Sequence, residues 1–208
     1  IDKNELGRPL FARCCYGICG RPEYEKEWRA DPDRAAGGQF MEQGIHAIDL
    51  FRWLVGEITE VVSMTGIQYF KNQGLDDNGM AIFRLDSGAT ASLHASLTNW
   101  KNSFIFEVYG EDGYIAVDGL GSSYGTEKLT FGKRDFDAPF NYKTTEFRGK
   151  DKSWSKEWEE FCNAIVEVRE PIGSGSDGLA ALRVALAAYE SEKTGKILPL
   201  CSLLSDDV

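Results

Sequence analysis

The 208-residue sequence predicts an α+β fold in which an open, largely antiparallel β-sheet carries helices packed on one face. Three observations predict it. Between residues 58 and 118 short alternating runs are separated by turn residues, Asp86-Ser87-Gly88 and 110–113 among them, and strands joined by tight turns pair antiparallel. Over 41–55 and 155–193 the apolar residues recur at helical spacing instead. With 42% hydrophobic and 27% charged residues the chain matches ordinary globular proteins, and its length suits one core, so residues 1–208 are expected to form a single domain.

The elements follow in order. Residues 10–18 mix apolar, aromatic and cysteine side chains between Pro9 and Gly20 and read as a strand. The polar stretch 20–38, punctuated by Pro22, Asp31-Pro32 and Gly37-Gly38, reads as a structured loop, and 41–55 as a helix closed by Gly56. Segment 58–70 is β-rich, 80–85 and 89–98 are strands, and 104–109 pairs with 114–118. Along 89–98 small apolar residues alternate with polar ones; His94 falls on the polar face, where a structural or solvent-facing role is expected. Edge strands and loops are predicted over 119–152, with apolar touches at Leu129, Phe131 and Phe140. Trp158, Phe161, Cys162, Ile165 and Val168 predict a packed helix with Ser153 or Ser155 as N-cap. A break at 171–176 precedes a helix capped by Asp177 and running to about 193, ended by Thr194-Gly195 before a strand at 197–200.

Composition narrows the function classes. Asp and Glu outnumber Lys and Arg 33 to 23, and a net charge of -10 without a basic cluster opposes nucleic-acid binding. No apolar run approaches the roughly 18 residues of a membrane span, and no signal peptide opens the chain, which predicts a cytoplasmic protein. The cysteines at 14, 15, 19, 162 and 201 match no metal or redox spacing and are expected to be free thiols, with no metal site. The start at Ile1, already near an apolar segment, reads as part of a longer chain.

At roughly 100° per residue, Glu42, His46, Asp49 and Trp53 share one stripe of the first predicted helix, whose remaining circumference is mostly apolar. Buried polar groups need partners, since each orphan costs about 1 to 3 kcal/mol, and a cleft would supply them. An imidazole titrates near neutrality and a carboxylate one turn away can orient it, the arrangement of a general acid/base pair. Two other readings of the spacing are an exposed i, i+4 pair and a metal site built from Glu42, His46 and Asp49.

The segment Trp28-Arg29, Asp31, Gly37-Gly38, Glu42, Gly44, His46, Asp49 and Leu54-Val55-Gly56 resembles the central signature of the glucose-fructose oxidoreductase / inositol dehydrogenase (Gfo/Idh/MocA) family. Downstream features agree in order, from Asp86-Ser87-Gly88 through Asp177-Gly178 to the closing segment 191–200, so the resemblance covers essentially the whole chain. It implies a C-terminal substrate-binding and oligomerisation domain whose sheet often makes homo-oligomer contacts. The Rossmann domain such a protein uses is absent from this chain: no Gly-x-Gly-x-x-Gly follows an N-terminal strand and no Glu-Lys-Pro motif is present. The implied activity is hydride transfer between NAD or NADP and a sugar, inositol or related polyol. By resemblance His46 is the acid/base or orienting histidine and Glu42 its partner, standing where the family has aspartate; Trp28 and Arg29 border the substrate, and Asp49 contacts substrate or supports the fold. A fragment of this kind is expected to be inactive alone. The alternative is a non-catalytic sugar-binding or oligomerisation module of the same fold.

Overall fold

The structure, a computed structural model, describes residues 1, 3–71, 74–137 and 141–200; Phe140 and Cys201 lie outside them. The described strands are β1 (Pro9–Cys19), β2 (Ile58–Gly66), β3 (Asn78–Leu85), β4 (Thr90–Ser96), β5 (Thr98–Gly110), β6 (Gly113–Asp118), β7 (Glu127–Lys133), β8 (Tyr142–Phe147) and β9 (Leu198–Pro199). They form one open sheet in the order β8-β7-β6-β5-β1-β4-β3-β2-β9. Every neighbouring pair is antiparallel except β1 with β4, which run parallel with Cys14 opposite Leu93. The predicted α+β class with an open, largely antiparallel sheet is therefore the observed one. The insertion of β1 between two sequential strands has no local signal, because it is a choice among partners distant in the chain.

Helices α1 (Ile45–Leu54) and α3 (Gly175–Thr194) pack on one face. Phe51 is fully buried there, its ring 5.1 Å from that of Phe106 and 6.0 Å from that of Phe83. Small residues on α3, including Ala181, Ala185 and Ala188, allow it to lie close on β2. The strict alternation of β3 puts Ala81, Phe83 and Leu85 into this core and leaves Met80 and Ile82 on the open face.

Several boundaries differ from the sequence expectation. The first helix begins with a π turn over Phe40–Gly44, and its start is held by a distant group: the Asp76 carboxylate accepts the Phe40 N–H at 2.7 Å. A Cβ on Gly38 would come within 2.3 Å of the Asp76 backbone oxygen, so this close approach requires glycine. Strand β5 runs six residues earlier than expected, where Asn102 accepts the Cys19 N–H. Neither Ser153 nor Ser155 caps helix α2 (Ser153–Glu167); Asp151 instead accepts the Ser153 N–H at 2.8 Å. Helix α3 is capped by Ser174, with Asp177 the reciprocal member of a capping box. The apolar stripe of α2 was expected to be packed, yet Trp158, Phe161 and Ile165 are exposed. Helical periodicity specifies that a face is apolar, not which body covers it.

Candidate active site

Segment 20–38 folds into two short 3-10 turns, Tyr24–Lys26 and Trp28–Ala30, anchored by a small core of Tyr24, Ala30, Phe70 and Leu97. This anchor fixes the Trp28-Arg29 pair. The Arg29 guanidinium lies 4.4 Å from the centre of the Trp28 ring, and its Nε donates to Glu42 Oε1 at 2.5 Å. The π turn carries Glu42 to this meeting point. Together with Tyr24, Arg21 and Gln43, Arg29 and Glu42 line a cavity of about 210 Å³; Trp28 is not among its lining residues. The cavity opens where the parallel strands β1 and β4 end, beside Cys19 and Leu97.

Trp28, Arg29 and Glu42 are thus brought together, while the predicted stripe of Glu42, His46, Asp49 and Trp53 is dispersed. His46 is exposed one turn on, and among the described residues no hydrogen bond or ion pair joins it to Glu42, whose carboxylate is taken by Arg29. The physical reason is the π turn: its i to i+5 bonding carries more residues per turn and breaks the register that a continuous α-helix would give Glu42 and His46. Asp49 faces a separate groove of about 480 Å³ with Trp53, Arg52 and Asp177. There Arg52 binds Glu57 at 2.9 Å and approaches Asp49 at 3.7 Å, while donating to the Asp177 carbonyl at 3.0 Å.

Electrostatics sharpen the first cavity. Burial pushes the Tyr24 phenol up to about 12, Glu42 adds to the shift and Arg29 opposes it, so the group is a neutral donor at physiological pH. Arg21 is ion-paired with Glu27 and Arg29 with Glu42, leaving the cations compensated. His94 lies elsewhere, on the open sheet face, where Nε2 sits 3.3 Å from Asn78 Oδ1 and burial lowers its proton affinity. That geometry agrees with a structural role.

Sequence reasoning missed Tyr24, Arg21 and Gln43 as cavity residues. The signal available was thin: a tyrosine four residues before the tryptophan in a loop rich in turn residues. A Gly-x-Gly-x-x-Gly spacing does occur at Gly173, Gly175 and Gly178, but it lies between α2 and α3 and follows no strand. The Asp177 carboxylate accepts the Ser174 N–H at 2.8 Å, filling the helix terminus where a phosphate would sit. This glycine segment therefore does not form a dinucleotide cradle. Among the described residues no cluster of His, Cys, Asp and Glu could hold a metal ion, and no helix is long and apolar enough to cross a membrane.

Comparison with known proteins places this geometry in context. The chain is 24% identical over 199 residues to the 1,5-anhydro-D-fructose reductase of Ensifer adhaerens, covering 94% of this chain and 57% of that protein. It is 27% identical over 200 residues to the scyllo-inositol 2-dehydrogenase (NAD(+)) of Bacillus subtilis, covering 94% and 55%. The chain thus spans little more than half the length of these relatives. Among solved structures, levoglucosan dehydrogenase in complex with NADH superposes with a TM-score of 0.83 at 21% identity, over 96% of this chain and 60% of that one. At that identity the likeness speaks for the fold alone. Residues 1–116 match the GFO/IDH/MocA C-terminal domain family, and the chain belongs to that family.

Proposed function

We propose that residues 1–208 form the substrate-side domain of an NAD(P)-dependent dehydrogenase that oxidises or reduces a sugar, inositol or related polyol. The observation that carries this reading is the Arg29–Glu42 pair lining a cavity at the carboxyl ends of β1 and β4. The Glu42 carboxylate can accept from one hydroxyl while the Arg29 guanidinium donates to the oxygen of its neighbour, which is what a polyol requires. Trp28, half exposed at 51%, borders the pair and offers ring surface to the apolar face of a sugar. Kinship to reductases and dehydrogenases along 94% of the chain supports the same reaction class.

A nicotinamide dinucleotide, when bound, supplies the hydride acceptor or donor. The segment 173–178 does not form its cradle, and in this reading the dinucleotide is held by another domain of the full-length protein. In this reading His46, exposed and outside the lining of the first cavity, takes or returns a substrate hydroxyl's proton. Asp49, drawn toward Arg52, steadies the far end of α1 and stands next to the second groove, where it contacts the substrate only if the ligand extends that far. The open sheet face, with Met64, Met80, Ile82 and Ile105 exposed, joins copies into a homo-oligomer in this reading. The described cysteines are free, as a reducing cytoplasm would keep them.

A second reading is a binding or assembly module without chemistry. It is favoured by one observation: the Glu42 carboxylate engages Arg29, and not His46. One experiment separates the two. The full-length protein is assayed with NAD and with NADP against myo-inositol, scyllo-inositol, D-glucose and D-xylose, alongside His46→Ala. The dehydrogenase reading expects reduction of one nicotinamide by a member of the panel and a loss of two to four orders of magnitude in kcat for the variant. No reduction with any pairing refutes the enzyme; full activity in His46→Ala removes the histidine from the chemistry.

A further inference from the structure

Tyr24 stands apart from the other residues of the small loop core. Its ring is packed, only 6% exposed, 5.5 Å from the ring of Phe70, yet its hydroxyl has no hydrogen-bond partner among the described residues. A phenol that reaches a cavity without a protein partner keeps its donor and acceptor for what enters. The hydroxyl is not sealed in the packing, since it is not among the buried atoms left unpartnered, and Tyr24 lines the cavity of Arg29, Glu42 and Gln43. Its acidity responds to both Glu42 and Arg29, which places the phenol within electrostatic reach of the pair.

The charge balance of the same cavity selects the ligand. Arg29 is neutralised by Glu42 and Arg21 by Glu27, so an incoming carboxylate or phosphate would meet no uncompensated cation and would lie beside the Glu42 anion. A neutral molecule with adjacent hydroxyls meets no such penalty: one O–H donates to Glu42 while the next oxygen accepts from Arg29. A third oxygen is left for the phenol.

We propose that Tyr24 is a substrate-binding residue whose hydroxyl hydrogen-bonds a third oxygen of a neutral cyclic polyol held by Glu42 and Arg29, and that this cavity selects neutral polyols over anionic sugars. The proposal rests on the dehydrogenase reading only in taking the ligand to be a polyol, and the test keeps the two apart. Binding of myo-inositol, scyllo-inositol, D-glucose, D-xylose and D-glucuronate to the full-length protein and to Tyr24→Phe is measured by calorimetry, with nicotinamide reduction and thermal unfolding followed in parallel.

The expected result is that at least one neutral polyol binds more tightly than D-glucuronate. Tyr24→Phe then weakens that polyol roughly 3- to 10-fold, the loss of one uncharged hydrogen bond, with an unchanged unfolding temperature. The variant keeps the ring against Phe70 and loses no protein hydrogen bond, so a purely structural hydroxyl would show itself as a fall in that temperature instead. Unaltered polyol binding by Tyr24→Phe, or preference for D-glucuronate, overturns the proposal. Binding that depends on Tyr24 in a protein that reduces neither nicotinamide upholds it and removes the dehydrogenase reading; reduction that is indifferent to Tyr24→Phe does the reverse.

Discussion

Replacing Asp77 by Ala tests how the loop core beneath the cavity is built. Asp77 is fully buried, and its carboxylate accepts the N–H groups of Gln68, Tyr69 and Phe70 at 2.7, 2.8 and 2.7 Å. Its own backbone bonds Gly66 on one side and Leu97 on the other, so one residue ties the ends of β2 and β4 to the segment that carries Phe70. Hydrogen bonds to a charged group contribute about 1.5 to 3 kcal/mol each, which puts a ceiling of roughly 4.5 to 9 kcal/mol on three of them. The Gln68 and Tyr69 bonds are only partly buried and water can replace them, whereas the Phe70 N–H is buried and would be stranded. The expected cost of Asp77→Ala is therefore about 3 to 5 kcal/mol, read as a fall in the urea midpoint at unchanged slope. For a chain of this length that corresponds to a drop of roughly 6 to 20 °C in Tm. Asp77→Asn keeps one acceptor oxygen and should lose about half as much. A loss below about 1 kcal/mol in the Ala variant, or an Asn variant as damaged as the Ala one, would refute the argument that the carboxylate organises this loop.

Two further expectations follow from packing and charge. Phe51→Ala empties the space between Phe83 and Phe106 and should cost about 3 to 5 kcal/mol by chemical denaturation, since a ring removed from a filled core leaves a cavity. Glu160 is held at about 2, first by its hydrogen bond from Arg169 and next by the Ile172 N–H, against an opposing burial effect. A depressed carboxyl stabilises fully above its ordinary value near ~4.3 and ceases to do so as pH falls toward 2. Amide exchange at the end of α2 should therefore be slower in the wild type than in Glu160→Gln at pH 7, and the two should converge near pH 2; a gap that widens in acid would reverse the sign.

Local pattern carried a good deal of this protein. The alternation over 90–96 and 78–85 is visible in the residues themselves, and so are the turn at Asp86-Ser87-Gly88 and the left-handed Gly195 that ends α3. The resemblance paired Glu42 with His46 and set Trp28 and Arg29 at the substrate's border; in the structure Glu42 pairs with Arg29, which lies against Trp28. The helical spacing from 41 onward predicts an unbroken α-helix, and the structure departs from it at the start. Residues 40–44 adopt a π turn because a remote carboxylate, Asp76, and the Tyr189 hydroxyl hold the N–H groups of Phe40 and Met41, and no spacing rule within the segment encodes groups 36 and 148 residues away.

By itself the sequence determined which faces are apolar, where the chain turns, and that the net charge disfavours nucleic acid, because these depend on neighbours within a few residues or on composition. Only the tertiary structure decided that β1 inserts beside β4, that Glu42 binds Arg29 in place of His46, that Asp49 turns to another groove, and that Tyr24 brings a phenol to the cavity. Each of those outcomes is a competition among partners distant in the chain, won by burial and by the pairing of charge, and such competitions leave no periodic trace.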